Sequence, residues 1–169
     1  MRTIRAAFLT GVLGVLFFGL SGSALAQRAI FVVRHAEKVS SSDERLSEAG
    51  QQRAVRLAKM LMDAGVSAIY STDTPRTRGT VQPLADALKL QVQIYDVGSQ
   101  KVDAKAFARR LRQQHVDQVV LVVGHSNTVP EILRALGCQE SVTIGPDEYD
   151  DLFVVIPRGK GAGLVRLRY

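Results

Sequence analysis

Two histidines and two arginines sit where short apolar runs of this chain come to an end. Arg34-His35 directly follows Ala29–Val33, Arg76 follows Val66–Tyr70 through Ser71-Thr72-Asp73-Thr74-Pro75, and His125 follows Val119–Val123 across Gly124. Apolar runs of this length with polar ends predict buried strands. In open α/β sheets, ligands bind beyond the carboxyl ends of the strands. Four residues from three segments far apart in sequence are therefore expected on one edge of one sheet. Arginine and histidine gathered there would cost desolvation without an anion to pair with. A planar guanidinium grips a phosphoryl group through two parallel hydrogen bonds, and an imidazole can attack phosphorus or stabilise developing charge. The chemistry that these residue types predict is the handling of a small anionic group.

Each residue taken alone has a plainer reading. A histidine at a strand end is commonly a satisfied structural side chain, and Arg76 in the first turn of a helix is commonly a surface residue. His35, Glu37 and His125 could also be read as metal ligands. His-x-Glu is not a helical ligand spacing, however, no third His or Cys stands nearby to complete a zinc set, and Arg34 would repel a cation. A metal site is not expected. His115 ends a helical pattern and reads as peripheral. Cys138, in the helix exit Leu136-Gly137-Cys138, reads as structural, and a single cysteine excludes an internal disulfide.

The elements that must position these groups alternate between short β-branched runs and helical patterns, which predicts a three-layer α/β/α sandwich with a mostly parallel central sheet. Helical spacing runs from Leu46 to Ala64, with Gly65 as its stop, from Pro75 to about Leu88, from Asp103 to His115, and near Pro130 to Leu136. Val92–Tyr95 reads as a third strand. Leu152–Ile156 and Leu164–Leu167 flank a Gly-rich turn and are expected to pair as a C-terminal antiparallel hairpin.

The 169-residue chain is 46% hydrophobic, and part of that content belongs to its first residues. Arg2 and Arg5, the apolar run Ala6–Leu20 and the small-residue triplet Ala24-Leu25-Ala26 form the pattern of a cleaved signal peptide over residues 1–26. The run is short and interrupted for a membrane span, which needs ~20 apolar residues. Membrane contact is thus expected only through an uncleaved signal, and the protein is expected to be exported, periplasmic or secreted. Residues 27–169 would form one domain. Loss of Arg2 and Arg5 lowers the formal charge of +6 by two, which still suits an anionic substrate. The basic residues are scattered except for Arg109-Arg110-Leu111-Arg112, Trp is absent and aromatics are few, so a nucleic-acid partner is not expected.

Four motifs, in order along the chain, resemble those of the histidine phosphatase superfamily, which includes the cofactor-dependent phosphoglycerate mutases. Val32-Val33-Arg34-His35-Ala36-Glu37 is similar to the Arg-His-Gly-Glu signature, and Leu46-Ser47-Glu48-Ala49-Gly50-Gln51-Gln52-Arg53-Ala54 to the Leu-Thr-x-x-Gly-x-x-Gln-Ala helix entry. Ser71, Arg76 and Thr80 match the Ser…Arg-x-x-x-Thr segment, and Val123-Gly124-His125-Ser126 the second-histidine strand end. The resemblance implies a phosphatase acting on a small phosphorylated substrate, with no metal or organic cofactor required. His35 would be the nucleophile that forms a phosphohistidine, with Arg34, Arg76 and His125 holding the phosphoryl oxygens. Two departures stand out. Ala36 replaces the family's glycine, and residues 77–124 contain no Glu to protonate the leaving group. Asp96 is the expected substitute, with Asp150 and Asp151 as alternatives. A short chain without mutase-type insertions is expected to be a hydrolase like the short bacterial phosphohistidine and sugar-phosphate phosphatases. The alternative is a non-catalytic anion-binding module that retains the pocket.

Overall fold

The structure, a computed structural model, describes residues 28–95, 103–159 and 161–169. The signal pattern over residues 1–26 and the expected acid Asp96 lie outside the described residues. Six strands and four helices follow in the order β1 (Ala29–Arg34), α1 (Glu48–Leu61), β2 (Val66–Ser71), α2 (Pro75–Leu88), β3 (Val92–Ile94), α3 (Ala104–Gln114), β4 (Val119–Gly124), α4 (Thr128–Ala135), β5 (Asp151–Arg158) and β6 (Gly161–Arg168). They form one sheet in the order β3-β2-β4-β1-β5-β6. The first four strands are parallel, β5 runs antiparallel to β1, and β6 antiparallel to β5. The expected three-layer sandwich with a C-terminal hairpin is the fold observed.

Burial explains the layers. β4 reads Val-Val-Leu-Val-Val-Gly and is buried at every residue, as a central strand covered on both faces must be. On one face Leu57, Ala58 and Leu61 of α1 and Val81, Leu84 and Ala85 of α2 pack with Ile69, Leu121 and Val123. On the other, Phe107, Ala108 and Leu111 of α3 and Val129, Ile132 and Leu133 of α4 pack with Ile30, Val120 and Val122. Alternate side chains of each strand thus feed opposite layers, as the period of two requires.

Local chemistry sets the element ends. α1 starts at Glu48 rather than Leu46, because Ser47 is its N-cap and accepts from Gly50 N at 3.2 Å. Leu46 instead pairs with Lys38 in an isolated bridge and is buried against Ala36 and Ala54. The C-terminal turn is tighter than the Gly-rich stretch suggested. Arg158 pairs with Gly161, so two residues close the hairpin, and Gly159 supplies the positive φ that such a turn needs.

Register then delivers the chemistry. Arg34 on β1 lies opposite Gly124 on β4, so the next residues, His35 and His125, leave the sheet side by side. His35 N donates to Gly124 O at 2.9 Å and ties the two exits together.

Two glycines that border this region should respond differently to a methyl group. A Cβ at Gly50 would stand 2.2 Å from the backbone oxygen of Glu37, which cannot retreat without moving the loop after His35. Gly50→Ala is expected to destabilise the domain by ~1–3 kcal/mol, seen as a lower Tm. A Cβ at Gly79 meets only the Leu46 side chain, at 3.1 Å. There the gain in helix propensity, ~1 kcal/mol, offsets the crowding, and Gly79→Ala should leave Tm nearly unchanged.

Candidate active site

His35, Arg34, Arg76 and His125 meet at the carboxyl edge of the sheet, as their positions at strand ends require. The His35 and His125 rings stand edge to face, 5.4 Å between centroids. His35 is buried, and its Nδ1 lies 2.8 Å from Ala36 O. A carbonyl oxygen only accepts, so Nδ1 carries the proton and Nε2 keeps its lone pair. Ala36 is itself buried and needs no positive φ, so its methyl, where the resembling motif has glycine, is accommodated in the loop.

His125 is held in the opposite tautomer. Arg76 Nη2 can only donate, so His125 Nδ1, 3.4 Å away, accepts. Its Nε2 then bears the hydrogen and donates to Thr72 Oγ1 at 3.0 Å. Thr72 Oγ1 in turn donates to Thr77 Oγ1, and Thr77 donates to Thr72 O. Both imidazoles are pushed down from 6.5 to about 4. Burial is the main cause for each. For His35 the bond to Ala36 O works the other way, and the charges of His125, Arg76 and Arg34 lower it further. For His125 the charge of Arg76 adds to burial, and the nearby Glu44 carboxylate opposes it.

The two arginines are held differently. Arg34 Nη1 donates to Gly145 O, Pro146 O and Glu148 O at 2.8, 2.9 and 3.0 Å, and its guanidinium lies 3.9 Å over the Tyr149 ring. Its Nε is buried and has no protein partner among the described residues, which leaves a donor that an anion would satisfy. Arg76 faces His125 on one side and is ion-paired to Glu44 on the other. Thr80 Oγ1 donates to Arg76 O at 2.7 Å and accepts from Ala36 N at 2.9 Å, so α2 and the loop after His35 are joined by one hydroxyl.

Other candidates fall elsewhere. Asp151, 1% exposed, is gripped by Arg166 through two hydrogen bonds, and Asp150 by Arg168, so both carboxylates serve the β5–β6 hairpin. Glu37 is held by Arg53 from α1. His115 bonds to Tyr70 and Gln118. Cys138 is buried, and burial pushes its thiol up to about 11, which fits a structural role. Among the described residues no group of three or more His, Cys, Asp or Glu is placed to hold a metal ion. Sequence reasoning did not single out Thr72, Thr77, Tyr149 or Glu44. The hydroxyl-rich Ser71–Thr77 stretch was the available signal for the first two. Loop residues such as Tyr149 and Glu44 carry no period that would direct them at a site.

The site can be set beside known proteins. Residues 30–97 match the histidine phosphatase superfamily (branch 1). A protein of Erwinia tasmaniensis described as phosphoglycerate mutase GpmB is 32% identical over 66 residues, 34% of this chain and 31% of its own, so the match spans about a third of that relative's length. A structure described as the phosphohistidine phosphatase SixA of Agrobacterium tumefaciens superposes with a TM-score of 0.64 at 23% identity, covering 83% of this chain and 98% of that one. One described as an α-ribazole-5′-phosphate phosphatase of Escherichia coli gives a TM-score of 0.67 at 16% identity, covering 84% and 96%. Residues 30–97 therefore carry the sequence pattern of the histidine phosphatase superfamily, and most of the chain shares the fold of its short bacterial representatives.

Proposed function

We propose that the chain is a phosphatase that hydrolyses phosphate monoesters or phosphoramidates through a phosphohistidine on His35. The observation that carries this is the locked tautomer of His35, which keeps Nε2 unprotonated within the field of Arg76 and Arg34. The Nε2 lone pair forms the bond to phosphorus as the bond to the leaving group breaks. Water then hydrolyses the N–P bond and releases inorganic phosphate. Phosphoryl transfer leaves the protein mainly positioning and electrostatic work. Arg76 and the free Nε edge of Arg34 supply positive charge, and His125, its Nε2–H held by Thr72, packs beside the nucleophile. Such chemistry needs no metal. The relatives described as phosphatases of phosphohistidine and of α-ribazole-5′-phosphate support a small phosphorylated substrate. The N-terminal signal pattern supports export to the periplasm or beyond.

Three measurements check this assignment. His35→Ala should abolish phosphate release from p-nitrophenyl phosphate, and a quench of the wild type with labelled substrate should trap an acid-labile phosphoprotein. Normal turnover by the variant would end the mechanism. Arg76→Lys should weaken inhibition by vanadate about tenfold to a hundredfold, since a point charge cannot replace a bidentate contact to an anion worth ~1.5–3 kcal/mol. Unchanged inhibition would place Arg76 outside the pocket.

The third is acid behaviour. His35 and His125 are neutral in the fold down to about 4, whereas in the unfolded chain each takes a proton near 6.5. Between these values the unfolded state binds more protons, so stability from these groups is present above 6.5 and drains away as pH falls toward 4. Imidazole resonances of both residues should titrate with midpoints near 4. Midpoints near 6.5 would mean that the rings are solvated.

A further inference from the structure

The proposed reaction leaves one chemical demand open. An alkoxide or amine leaves phosphorus readily only if it receives a proton. Near the site, five carboxylates on the surrounding loops and strands are engaged away from it. Glu37 is held by Arg53, Asp73 by Arg78, Asp150 by Arg168, and Asp151 by Arg166. Glu148 accepts from Gly145 N at 2.7 Å. Glu44 is different. Among the described residues its carboxylate alone is within ion-pairing reach of any member of the His35, Arg34, Arg76 and His125 set, through Arg76 Nη1, and its charge also acts on His125.

The loop that presents Glu44 is built rather than loose. Val39 N donates to Arg45 O at 2.9 Å, and the Lys38–Leu46 bridge closes the same small hairpin. Ser40 Oγ accepts from Ser42 N and Asp43 N at its tip. Asp43 and Arg45, the neighbours of Glu44, pair with each other on the outside. Buried Leu46 anchors the base of the hairpin. Glu44 is thereby turned onto the site while its side chain stays 42% exposed, against 17% for Arg76, so it has room to change partner.

We infer that Glu44 is the proton donor to the leaving group, the role for which Asp96 was the expectation from sequence. A phosphoryl group gripped by Arg76 places negative charge beside the Glu44 carboxylate. Arg76 then exchanges the carboxylate for the phosphoryl oxygens, which frees Glu44 to act as an acid. The carboxyl then carries the proton that is needed. As Nε2 of His35 bonds to phosphorus, the P–O or P–N bond breaks, its electron pair goes to the leaving atom, and that atom takes the proton from Glu44. In the second half the Glu44 carboxylate accepts a proton from water as its oxygen bonds to phosphorus, and the P–N pair returns to His35.

The inference rests on the phosphatase assignment, and the experiment separates the two. The full chain and Glu44→Gln are compared by kcat/KM, which reports steps up to phosphoenzyme formation, on an alkyl phosphate and on p-nitrophenyl phosphate. Nitrophenolate departs with little protonation, so removing a general acid should depress the alkyl substrate far more. The ratio of the two kcat/KM values should shift by ~10²–10⁴-fold. Vanadate should inhibit Glu44→Gln at least as strongly as the wild type, since no anion then competes for Arg76. An equal loss on both substrates would make Glu44 a positioning residue for Arg76 and overturn the inference, as would an alkyl rate that does not fall. Wild-type protein that releases phosphate from neither substrate would overturn the phosphatase assignment itself. A selective alkyl loss in Asp96→Asn, with none in Glu44→Gln, would return the role to Asp96.

Discussion

A histidine attacks phosphorus only with a nitrogen that holds a lone pair, and the arrangement of this chain turns on how that nitrogen is kept bare. The bond from His35 Nδ1 to Ala36 O puts the proton on the far side of the ring. Burial and three neighbouring basic groups then resist a second proton. The same positive surroundings that discourage imidazolium suit an anion, so in the proposed reaction a single electrostatic environment prepares the nucleophile and attracts its target. The parallel register of β1 on β4 serves that arrangement. It brings His35 and His125 out of the sheet together, and the amide of His35 is satisfied by the carbonyl of Gly124.

The two guanidinium groups divide the electrostatic work. Three carbonyls and an aromatic face immobilise Arg34, which makes it a fixed charge with one free edge. Arg76 is bounded by one neutral imidazole and one carboxylate, both able to adjust. Fixed charge lowers the cost of organising the transition state, while an exchangeable partner lets the site remain neutralised until an anion replaces it.

Much of this was legible in the chain itself. Unbroken β-branched runs such as Val119–Val123 can hardly be anything but buried strands, and the residues after them must lie on the sheet edge. His35, Arg34, Arg76 and His125 were therefore readable from strand ends alone. The start of α1 was misplaced because Leu46 fits the helical spacing, although its burial serves the loop before the helix. Asp150 and Asp151 looked like free acids because nothing in a linear sequence shows that Arg166 and Arg168 lie across the hairpin from them. Glu44 escaped notice for the converse reason. Its ion pair with Arg76 depends on a hairpin whose closing contacts are backbone bonds and serine hydroxyls, which leave no hydrophobic pattern to read.

The Thr80 hydroxyl, shared between Arg76 O and Ala36 N, has a mechanical side. It couples the first turn of α2 to Ala36, the residue whose carbonyl is the proton-side partner of His35. A helix packed on a sheet slides and tilts as a unit under thermal motion, and such sliding would ordinarily change the spacing between groups borne by different layers. Here the clamp and the nucleophile are bolted to the same oxygen, so a displacement of α2 is passed to both together. The helix that presents the guanidinium and the loop that presents the imidazole therefore answer to one hydroxyl.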